Sequence, residues 1–376
     1  CPESRGLGDV YKRQIENFRQ LGAATPGHPE NFVTEGVETT TGPLGQGIAT
    51  AVGMAIAERH LNAKFGDDVV DHNTWVIAGD GCLMEGVSQE AITLAGHMKL
   101  NKLIVLWDDN NVTIDGTLDV ADETDQIKRF EAAGWAVAAI DGHDPTAIDQ
   151  ALEWAKSSDR PVMIACKTRI GYGAPTIEGT GKAHGGPYGA SEIEGIRKNI
   201  GWDHAPFVVP EDVLTTWREA GARGAATRTE WEGRLAASDK QAEFTAAMDR
   251  VIPAELADVM KAHKQAVSNG QEKKATRQWS GAALEVATKV LPTMIGGSAD
   301  LTGSNNTKTS STGPLTSGDY AGRYIHYGVR EHGMASAMNG MALHGGVIPY
   351  SGTFFVFSDY SRAAIRLGAL MGTPVI

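Results

Sequence analysis

The sequence is poor in cysteine, with three in 376 residues. Cys1, Cys82 and Cys166 are too few and too widely spaced for a disulfide framework or a cysteine-based zinc pattern. A protein without disulfides is typical of a reducing compartment. We therefore expect a cytoplasmic location.

Long apolar runs and basic stripes are also missing. No apolar stretch is long enough to span a bilayer, so we expect no membrane partner. The formal net charge of −12 is spread along the chain, which argues against nucleic acid as a partner. An acidic chain of this kind can bind a phosphorylated substrate only where positive groups are concentrated locally.

A dinucleotide-binding fingerprint is the third feature that the sequence lacks. A nicotinamide dehydrogenase needs Gly-x-Gly-x-x-Gly between a strand and a helix. Gly45-Gln46-Gly47 lacks the last glycine and follows no clear strand. This class of enzyme is therefore disfavoured.

The length predicts two or three domains, and the changes in composition divide the chain into two α/β domains and a linker. Residues 1–14 lack the apolar core of a secretory signal, and we interpret them as an artefact or a disordered leader. We expect a first domain over 15–209, a polar helical linker over 210–275 and a second domain over 276–376. A short amphipathic helix is predicted over 15–21, and further helices over 212–225 and 241–265.

Two apolar runs in the first domain each end in polar residues. Trp75 to Ala78 is followed by Gly79-Asp80-Gly81, and Leu103 to Trp107 is followed by Asp108-Asp109-Asn110-Asn111. In a parallel sheet, ligands bind beyond the carboxyl ends of strands. An acid and an amide at that edge predict a magnesium site that holds a diphosphate. Either segment alone is more often an ordinary turn.

Strand and helix patterns alternate through the rest of this domain. A strand over 135–140, a helix over 145–156 and a strand over 161–168 form such a unit. This alternation is typical of right-handed βαβ units and a parallel sheet. We therefore predict an α/β fold with parallel sheets.

Three loops of the first domain contain candidate site residues. His28 lies between two prolines, which present it rigidly, although a surface turn with an incidental histidine is an equal alternative. The glycine-rich segment 39–47 precedes a helix predicted over 48–60, and such a loop can bind phosphate or simply turn the chain. His184 lies in a long loop over 171–187, where a lone histidine more often faces solvent.

The second domain contains one carboxyl and one aromatic series of interest. Glu331 lies in the first turn of a small, apolar helix, where it is either a helix-capping acid or a buried proton donor, and capping is the default. Phe354, Phe357 and Tyr360 recur at intervals of three, which by itself is more typical of core packing. These alternatives stay open on the pattern alone.

Taken together and in order, these motifs resemble the transketolase family. The resemblance covers the chain from about Ile15 to Ile376. The motifs that carry it are Thr25-Pro-Gly-His-Pro-Glu30, Thr40-Thr-Gly-Pro-Leu-Gly-Gln-Gly47, Gly79-Asp-Gly-Cys-Leu-Met-Glu-Gly86, Asp108-Asp-Asn-Asn111, Thr113-Ile-Asp-Gly116, Gly296-Gly-Ser-Ala-Asp-Leu-Thr302 and 323–334.

The resemblance implies a thiamine diphosphate-binding fold: two parallel-sheet, three-layer α/β/α domains joined by a helical linker. The first would bind the diphosphate and metal, and the second would be a partial pyrimidine-binding domain. The implied activity is transfer of a two-carbon ketol group from a ketose phosphate to an aldose phosphate through a thiamine diphosphate carbanion. This reaction serves the pentose phosphate pathway or the Calvin cycle.

Cofactor-binding residues are carried over from the family motif by motif. The metal, Mg²⁺ or alternatively Ca²⁺ or Mn²⁺, would be bound by the side chains of Asp80 and Asn110 and the backbone carbonyl of Val112. Glu331 would bond the aminopyrimidine ring and act as a catalytic residue. The remaining cofactor contacts implied are Gly42, Leu44, Gly81, Asp300, Phe354, Phe357 and Tyr360, and for the aromatic residues this reverses the default of core packing.

Substrate residues and a partner follow from the same resemblance. His28 and His184 would bind sugar hydroxyls and assist proton transfers. Arg277 and Ser304 would bind the substrate phosphate. A homodimer is implied, with sites at the subunit interface and Glu85 linking the two sites.

The resemblance also leaves alternatives. The family's N-terminal segment, the rest of its second domain and its C-terminal domain have no counterpart here, so we expect a piece truncated at both ends. A related thiamine transferase such as dihydroxyacetone synthase, or a cofactor-binding but inactive fragment, is the alternative interpretation. Trp279 replaces a smaller family residue, and we have no account of it.

Overall fold

The computed structural model describes residues 16–376. The leader predicted over 1–14 therefore lies outside the described residues. Residues 17–22 form turns, so the short helix predicted over 15–21 does not extend through them.

Within residues 17–209, the first α/β module is built from four strands and six helices. In chain order they are α1 Gln46–Phe65, β1 Thr74–Gly79, α2 Asp80–Met84, α3 Gly86–His97, β2 Leu103–Asp109, α4 Gln126–Ala132, β3 Ala136–Asp141, α5 Pro145–Lys156, β4 Val162–Lys167 and α6 Ala190–Asn199. Short 3₁₀ turns occur at Leu118–Val120 and Gly181–Ala183.

The sheet of this module is parallel, with the strand order β1-β2-β4-β3. Gly79 of β1 pairs with Asp108 of β2, and Asp108 pairs with Cys166 of β4. The carboxyl ends of the strands are therefore level. The segments that follow them, including Asp80 and Asn110, meet at one edge.

Three helices connect the two modules: α7 Glu211–Ala237, α8 Gln241–Met248 and α9 Glu255–Gly270. The single helix predicted over 241–265 is wrong, because the chain breaks between α8 and α9. Arg250 has a positive φ of 52° at this break, and Pro253 lies just before α9. A proline in the helix interior would remove a backbone hydrogen bond, so the chain turns instead.

The second module contains α10 Thr276–Val290, β5 Met294–Ser298, α11 Thr302–Asn305, β6 Tyr324–His326, α12 Glu331–His344, β7 Ile348–Pro349 and α13 Ser358–Met371. A 3₁₀ turn at Phe355–Phe357 precedes α13. Its three strands form a parallel sheet in the order β6-β5-β7. The predicted α/β fold with two parallel sheets is confirmed.

One hydrophobic core joins the two modules through helices α1 and α12. The helices cross without space for a side chain: a Cβ on Gly53 would lie 1.9 Å from the carbonyl oxygen of Ala337, and one on Gly340 would lie 1.8 Å from that of Thr50. This crossing holds the second module against α1, the helix that follows the glycine-rich loop. No helix in the described part of the chain is both long and apolar enough to cross a membrane.

Candidate functional site

Asp80 is the first residue of α2 and directly follows β1. The residue is 6% exposed. Oδ1 accepts a hydrogen bond of 2.8 Å from Nε1 of Trp107. Among the described residues, the buried Oδ2 has no hydrogen-bond partner. An unpartnered carboxylate oxygen in a buried position is costly, and a bound cation would remove that cost.

Burial raises the pKa of the Asp80 carboxyl. The Trp107 hydrogen bond opposes this shift in pKa, and the negative charge of Asp109 adds to it. The local environment therefore disfavours the charged form. A divalent cation at Oδ2 would reverse that preference, because an opposite charge stabilises the carboxylate.

Asn110 and Val112 lie in a tightly bonded loop after β2. Oδ1 of Asn110 accepts from the backbone N–H of Val112 at 3.0 Å, and its Nδ2 donates to Oδ2 of Asp108 at 2.9 Å. The hydroxyl of Thr168 donates to the other oxygen of Asp108. These bonds link the ends of β2 and β4 and fix the loop beside Asp80.

This donor set suits a hard cation rather than zinc. Residues 16–376 contain no group of three or more His, Cys, Asp or Glu side chains arranged to hold a metal. Asp80 and Asn110 offer one carboxylate and one amide oxygen, and Val112 adds a backbone carbonyl. Mg²⁺ is commonly held by one or two carboxylates together with water and phosphate oxygens. The residues present therefore fit a magnesium–diphosphate group.

The glycine-rich loop before α1 is packed against this edge. Gly42 has a φ of 131°, and a Cβ there would lie 2.9 Å from Cγ of His28. A Cβ on Gly81 would lie 3.1 Å from Cδ1 of Leu44. The structure thus brings His28, Gly42, Leu44 and Gly81 together. His28, Gly42 and Leu44 also line a cavity of about 1150 Å³.

Gly45 explains why this loop requires glycine. It has a φ of 80°, and a Cβ would lie 2.6 Å from Cβ of Glu85 and 2.9 Å from Oγ of Ser88. The loop therefore rests directly on the start of α3. No side chain caps the start of α1.

His184 follows the 3₁₀ turn Gly181–Ala183 and is exposed. Gly181 packs against the turn that follows Val112, since its Cβ would lie 3.4 Å from Cα of Gly116. His184 is therefore carried near the Asp80 side of the molecule. It does not line the cavity that contains His28.

Glu331 begins α12 and is 8% exposed. Its Oε1 lies 3.5 Å from the hydroxyl of Thr353. The N–H of Gly333, in the same first turn, donates to Oε2 of Glu90 at 2.7 Å. Burial raises the pKa of Glu90, the Gly333 hydrogen bond opposes the shift, and the charge of Glu331 adds to it.

The sequence interpretation missed both Glu90 and Trp107. Glu90 precedes the buried residue Ala91 in α3. An acid beside the apolar face of a helix was the sequence feature that could have indicated a site residue here. Trp107 was treated only as part of an apolar strand. Its pairing with Ala78 in the sheet places its indole beside Asp80, and periodicity alone does not show that contact.

Phe354, Phe357 and Tyr360 form a row of neighbouring rings. The centroids of Phe354 and Phe357 are 6.0 Å apart, and those of Phe357 and Tyr360 are 6.1 Å apart. Phe354 is 41% exposed and Tyr360 is 66% exposed, so the pattern-based default of core packing is wrong. A role in binding the pyrimidine stays a prediction.

Arg277 and Ser304 line a second cavity, of about 480 Å³, together with Phe354. The buried hydroxyl oxygen of Ser351, also in this lining, has no hydrogen-bond partner among the described residues. Asp300 follows β5 with a φ of 58° and is exposed, but it does not line this cavity.

The predicted site residues fall into two groups. One group surrounds Asp80 and the glycine-rich loop, and the other surrounds Glu331, the aromatic row and Arg277. The two cavities share no lining residue in the described part of the chain.

The fold defines an α/β protein with two parallel-sheet modules, and the first module has carboxylate and amide oxygens at its strand ends. Two family models match the chain in the same order: transketolase, thiamine diphosphate binding domain, over residues 4–283, and transketolase, pyrimidine binding domain, over residues 272–376. The chain belongs to the transketolase family, which confirms the predicted resemblance.

Individual relatives agree with the family models. A transketolase of Rhodobacter capsulatus is 56% identical over 365 residues, which are 96% of this chain and 54% of the relative. One of Cereibacter sphaeroides is 55% identical over 98% of this chain and 56% of its own length. The chain thus spans about half the length of the curated relatives that it matches.

Solved structures show the same similarity. A transketolase from Leishmania mexicana superposes with a TM-score of 0.91 at 40% identity, covering 98% of this chain and 56% of the other. A transketolase from Pichia stipitis in complex with sedoheptulose-7-phosphate gives a TM-score of 0.90 at 38% identity, covering 96% of this chain and 56% of the other.

Proposed function

We propose that this chain contributes the cofactor-binding part of a transketolase. The reaction is reversible transfer of a two-carbon ketol group from a ketose phosphate to an aldose phosphate. One observation carries the proposal: the buried Asp80 carboxylate has an unpartnered oxygen at the strand edge where Asn110 also lies. Family membership supplies the reaction class.

In this proposal Asp80, Asn110 and the carbonyl of Val112 hold Mg²⁺, or alternatively Ca²⁺ or Mn²⁺. The thiamine diphosphate group supplies an electron sink for the ketol unit when it is bound. Gly81 lets the backbone approach the diphosphate closely. Gly42 and Leu44 support the group from the side of α1, and Asp300 contributes a contact from the second module.

Glu331 has the proposed role of holding a proton at the aminopyrimidine ring. Its low exposure and the contact of 3.5 Å between its Oε1 and the hydroxyl of Thr353, which lines the second cavity, support this role. Phe354, Phe357 and Tyr360 would cover the ring and exclude water. If Glu331 served only to cap the helix, these aromatic rings would not be needed.

Substrate recognition would come from both modules. His28 and His184 would bind sugar hydroxyls and move protons at them. Arg277 with Ser304 would bind the phosphate, which supplies the local positive charge that an acidic chain needs. The shared lining of these two residues in one cavity supports the pairing.

A second copy of the chain is the proposed partner. The cavity lined by His28 and Gly42 and the cavity lined by Arg277 and Ser304 share no lining residue in the described part of the chain, so each would be completed by the opposite group of a partner subunit. Exposed apolar residues beside the aromatic row support such an interface; they include Phe355, Val356 and Ile365. Glu85 would lie near the contact that links the two sites. Free thiols at Cys82 and Cys166 agree with a cytoplasmic location.

A binding titration tests the proposal. We expect the chain to bind thiamine diphosphate with saturation when Mg²⁺ is present and much more weakly when the metal is chelated. The matched variant Glu331→Gln should retain most of this affinity, because it leaves the metal ligands intact. It should slow hydrogen–deuterium exchange at C2 of the bound cofactor by roughly a hundredfold or more.

Two results would contradict the proposal at different points. Binding that is independent of metal would remove the Asp80 assignment. Normal C2 exchange in Glu331→Gln, with cofactor still bound, would leave Glu331 as a helix-capping residue.

A further inference from the structure

Two histidines with no role assigned above meet in the lining of the larger cavity. His72 precedes β1, and His344 is the last residue of α12. Their Nε2 atoms are 3.0 Å apart, and the ring planes differ by 15° with centroids 5.1 Å apart. The nitrogens are much closer than the centroids, so the rings approach through Nε2 and not face to face.

The tautomer of His344 is set by its own backbone. Nδ1 of His344 lies 3.1 Å from the carbonyl oxygen of Gly345, which can only accept a hydrogen bond. Nδ1 therefore carries a proton, and in the neutral ring Nε2 presents a lone pair toward His72. Metal-binding histidines are commonly oriented in this way, with the second ring nitrogen donating to a carbonyl.

Burial favours the neutral form of His344, and His72 is accessible to solvent. Burial lowers the pKa of His344; the Gly345 carbonyl opposes the shift, and His72 lowers the pKa further. A neutral imidazole is the form that binds metal. His72 is exposed, and both rings line the larger cavity, so an ion can reach the pair from solvent.

We propose that His72 and His344 bind a divalent transition metal of the Zn²⁺ class through their Nε2 atoms. Zinc–nitrogen bonds of about 2.0–2.1 Å in a tetrahedral arrangement place two ligand atoms slightly more than 3 Å apart, close to the separation here. The proton on Nε2 of His72 leaves to solvent, and the metal takes its place. Water completes the coordination.

This site differs in chemistry from the Asp80 group. Imidazole nitrogens favour zinc, nickel and copper, whereas carboxylate and carbonyl oxygens favour magnesium. The two ligands come from different modules: His72 lies at the start of the first sheet and His344 at the end of α12. A bound metal would therefore cross-link the modules and stabilise the folded state.

The test is a Zn²⁺ titration of the full 376-residue chain in excess Mg²⁺, against a chromogenic chelator. We expect one equivalent of zinc to bind, and His72→Gln and His344→Gln each to weaken binding by roughly tenfold or more. His97→Gln is the matched control, because His97 is an exposed histidine at the end of α3. It should leave zinc binding unchanged.

Thermal unfolding gives a second readout that does not depend on activity. Zinc should raise the melting temperature of the unmodified chain and of His97→Gln, but not of the other two variants. Far-UV circular dichroism of each variant verifies that it is folded. Absence of zinc binding, or full binding by either His72→Gln or His344→Gln in folded form, overturns the proposal.

Discussion

At the scale of single residues, Asp80 shows how one side chain serves two states of the protein. Without a cation, its buried oxygen has no hydrogen-bond partner and its charged form is disfavoured. Trp107 supports only the other oxygen. Asp80 therefore lowers the stability of the cation-free protein, while its unpartnered oxygen is available to a cation.

Asp80→Asn separates these two effects. The amide oxygen can still accept from Trp107, but the buried charge is removed. We expect the metal-free variant to melt at a higher temperature than the unmodified chain. Its Mg²⁺-dependent affinity for thiamine diphosphate should fall by roughly tenfold or more. Differential scanning calorimetry and a cofactor titration measure the two quantities.

The stability of Asp80→Asn relative to the unmodified chain should increase as the pH rises. Because the folded pKa of Asp80 is raised above its unfolded value, ionisation destabilises the fold as the pH rises from the unfolded pKa through the folded one. The advantage of Asp80→Asn should therefore be absent at acid pH and complete above the folded pKa. An advantage that shrinks as pH rises would contradict this account.

At the scale of elements, the crossing of α1 and α12 depends on two glycines. A Cβ on Gly340 would lie 1.8 Å from the carbonyl oxygen of Thr50, which is backbone and cannot rotate away. Gly340→Ala should therefore lower the free energy of unfolding by about 1–3 kcal/mol or more. Denaturant unfolding measures this change.

Gly221 of α7 provides the matched control for this prediction. A Cβ there would meet no atom within 4 Å. Gly221→Ala should raise stability by about 0.5–1 kcal/mol, because alanine loses less conformational freedom in a helix. Equal effects of the two substitutions would show that the crossing is not tightly packed.

At the scale of the whole molecule, a run of exposed apolar residues lies beside the second cavity. Phe355 is 93% exposed, and its neighbours Val356 and Tyr360 are each 66% exposed. Large contiguous apolar patches of this kind commonly mark protein interfaces. The patch lies beside Arg277 and Ser304, which line the same cavity as Phe355.

Phe355→Asp tests the proposed homodimer. A charge in the centre of the patch should shift the chain from dimer to monomer in sedimentation velocity, and cofactor binding should weaken in parallel. Trp217→Asp is the control, since Trp217 is 78% exposed on α7. If Trp217→Asp dissociates the chain and Phe355→Asp does not, the interface lies on the connecting helices.

The chain order of strands and helices could be predicted from sequence because periodicity is local. The strands ending at Gly79 and Asp109 and the helix beginning at Glu331 were predicted close to their observed positions. The break after α8 was missed, because the polar composition around Arg250 and Pro253 was interpreted as one continuous helix. The exposed aromatic row was at first assigned to the core for a similar reason: periodicity does not show which face is covered.

The sequence by itself determined the family, the parallel α/β fold and the residue types at each strand end. Only the tertiary structure decided which of those residues meet. The unpartnered oxygen of Asp80, its bond to Trp107 and the pairing of His72 with His344 each join residues distant in the chain. Such contacts depend on sheet register and helix crossing, which no local pattern encodes.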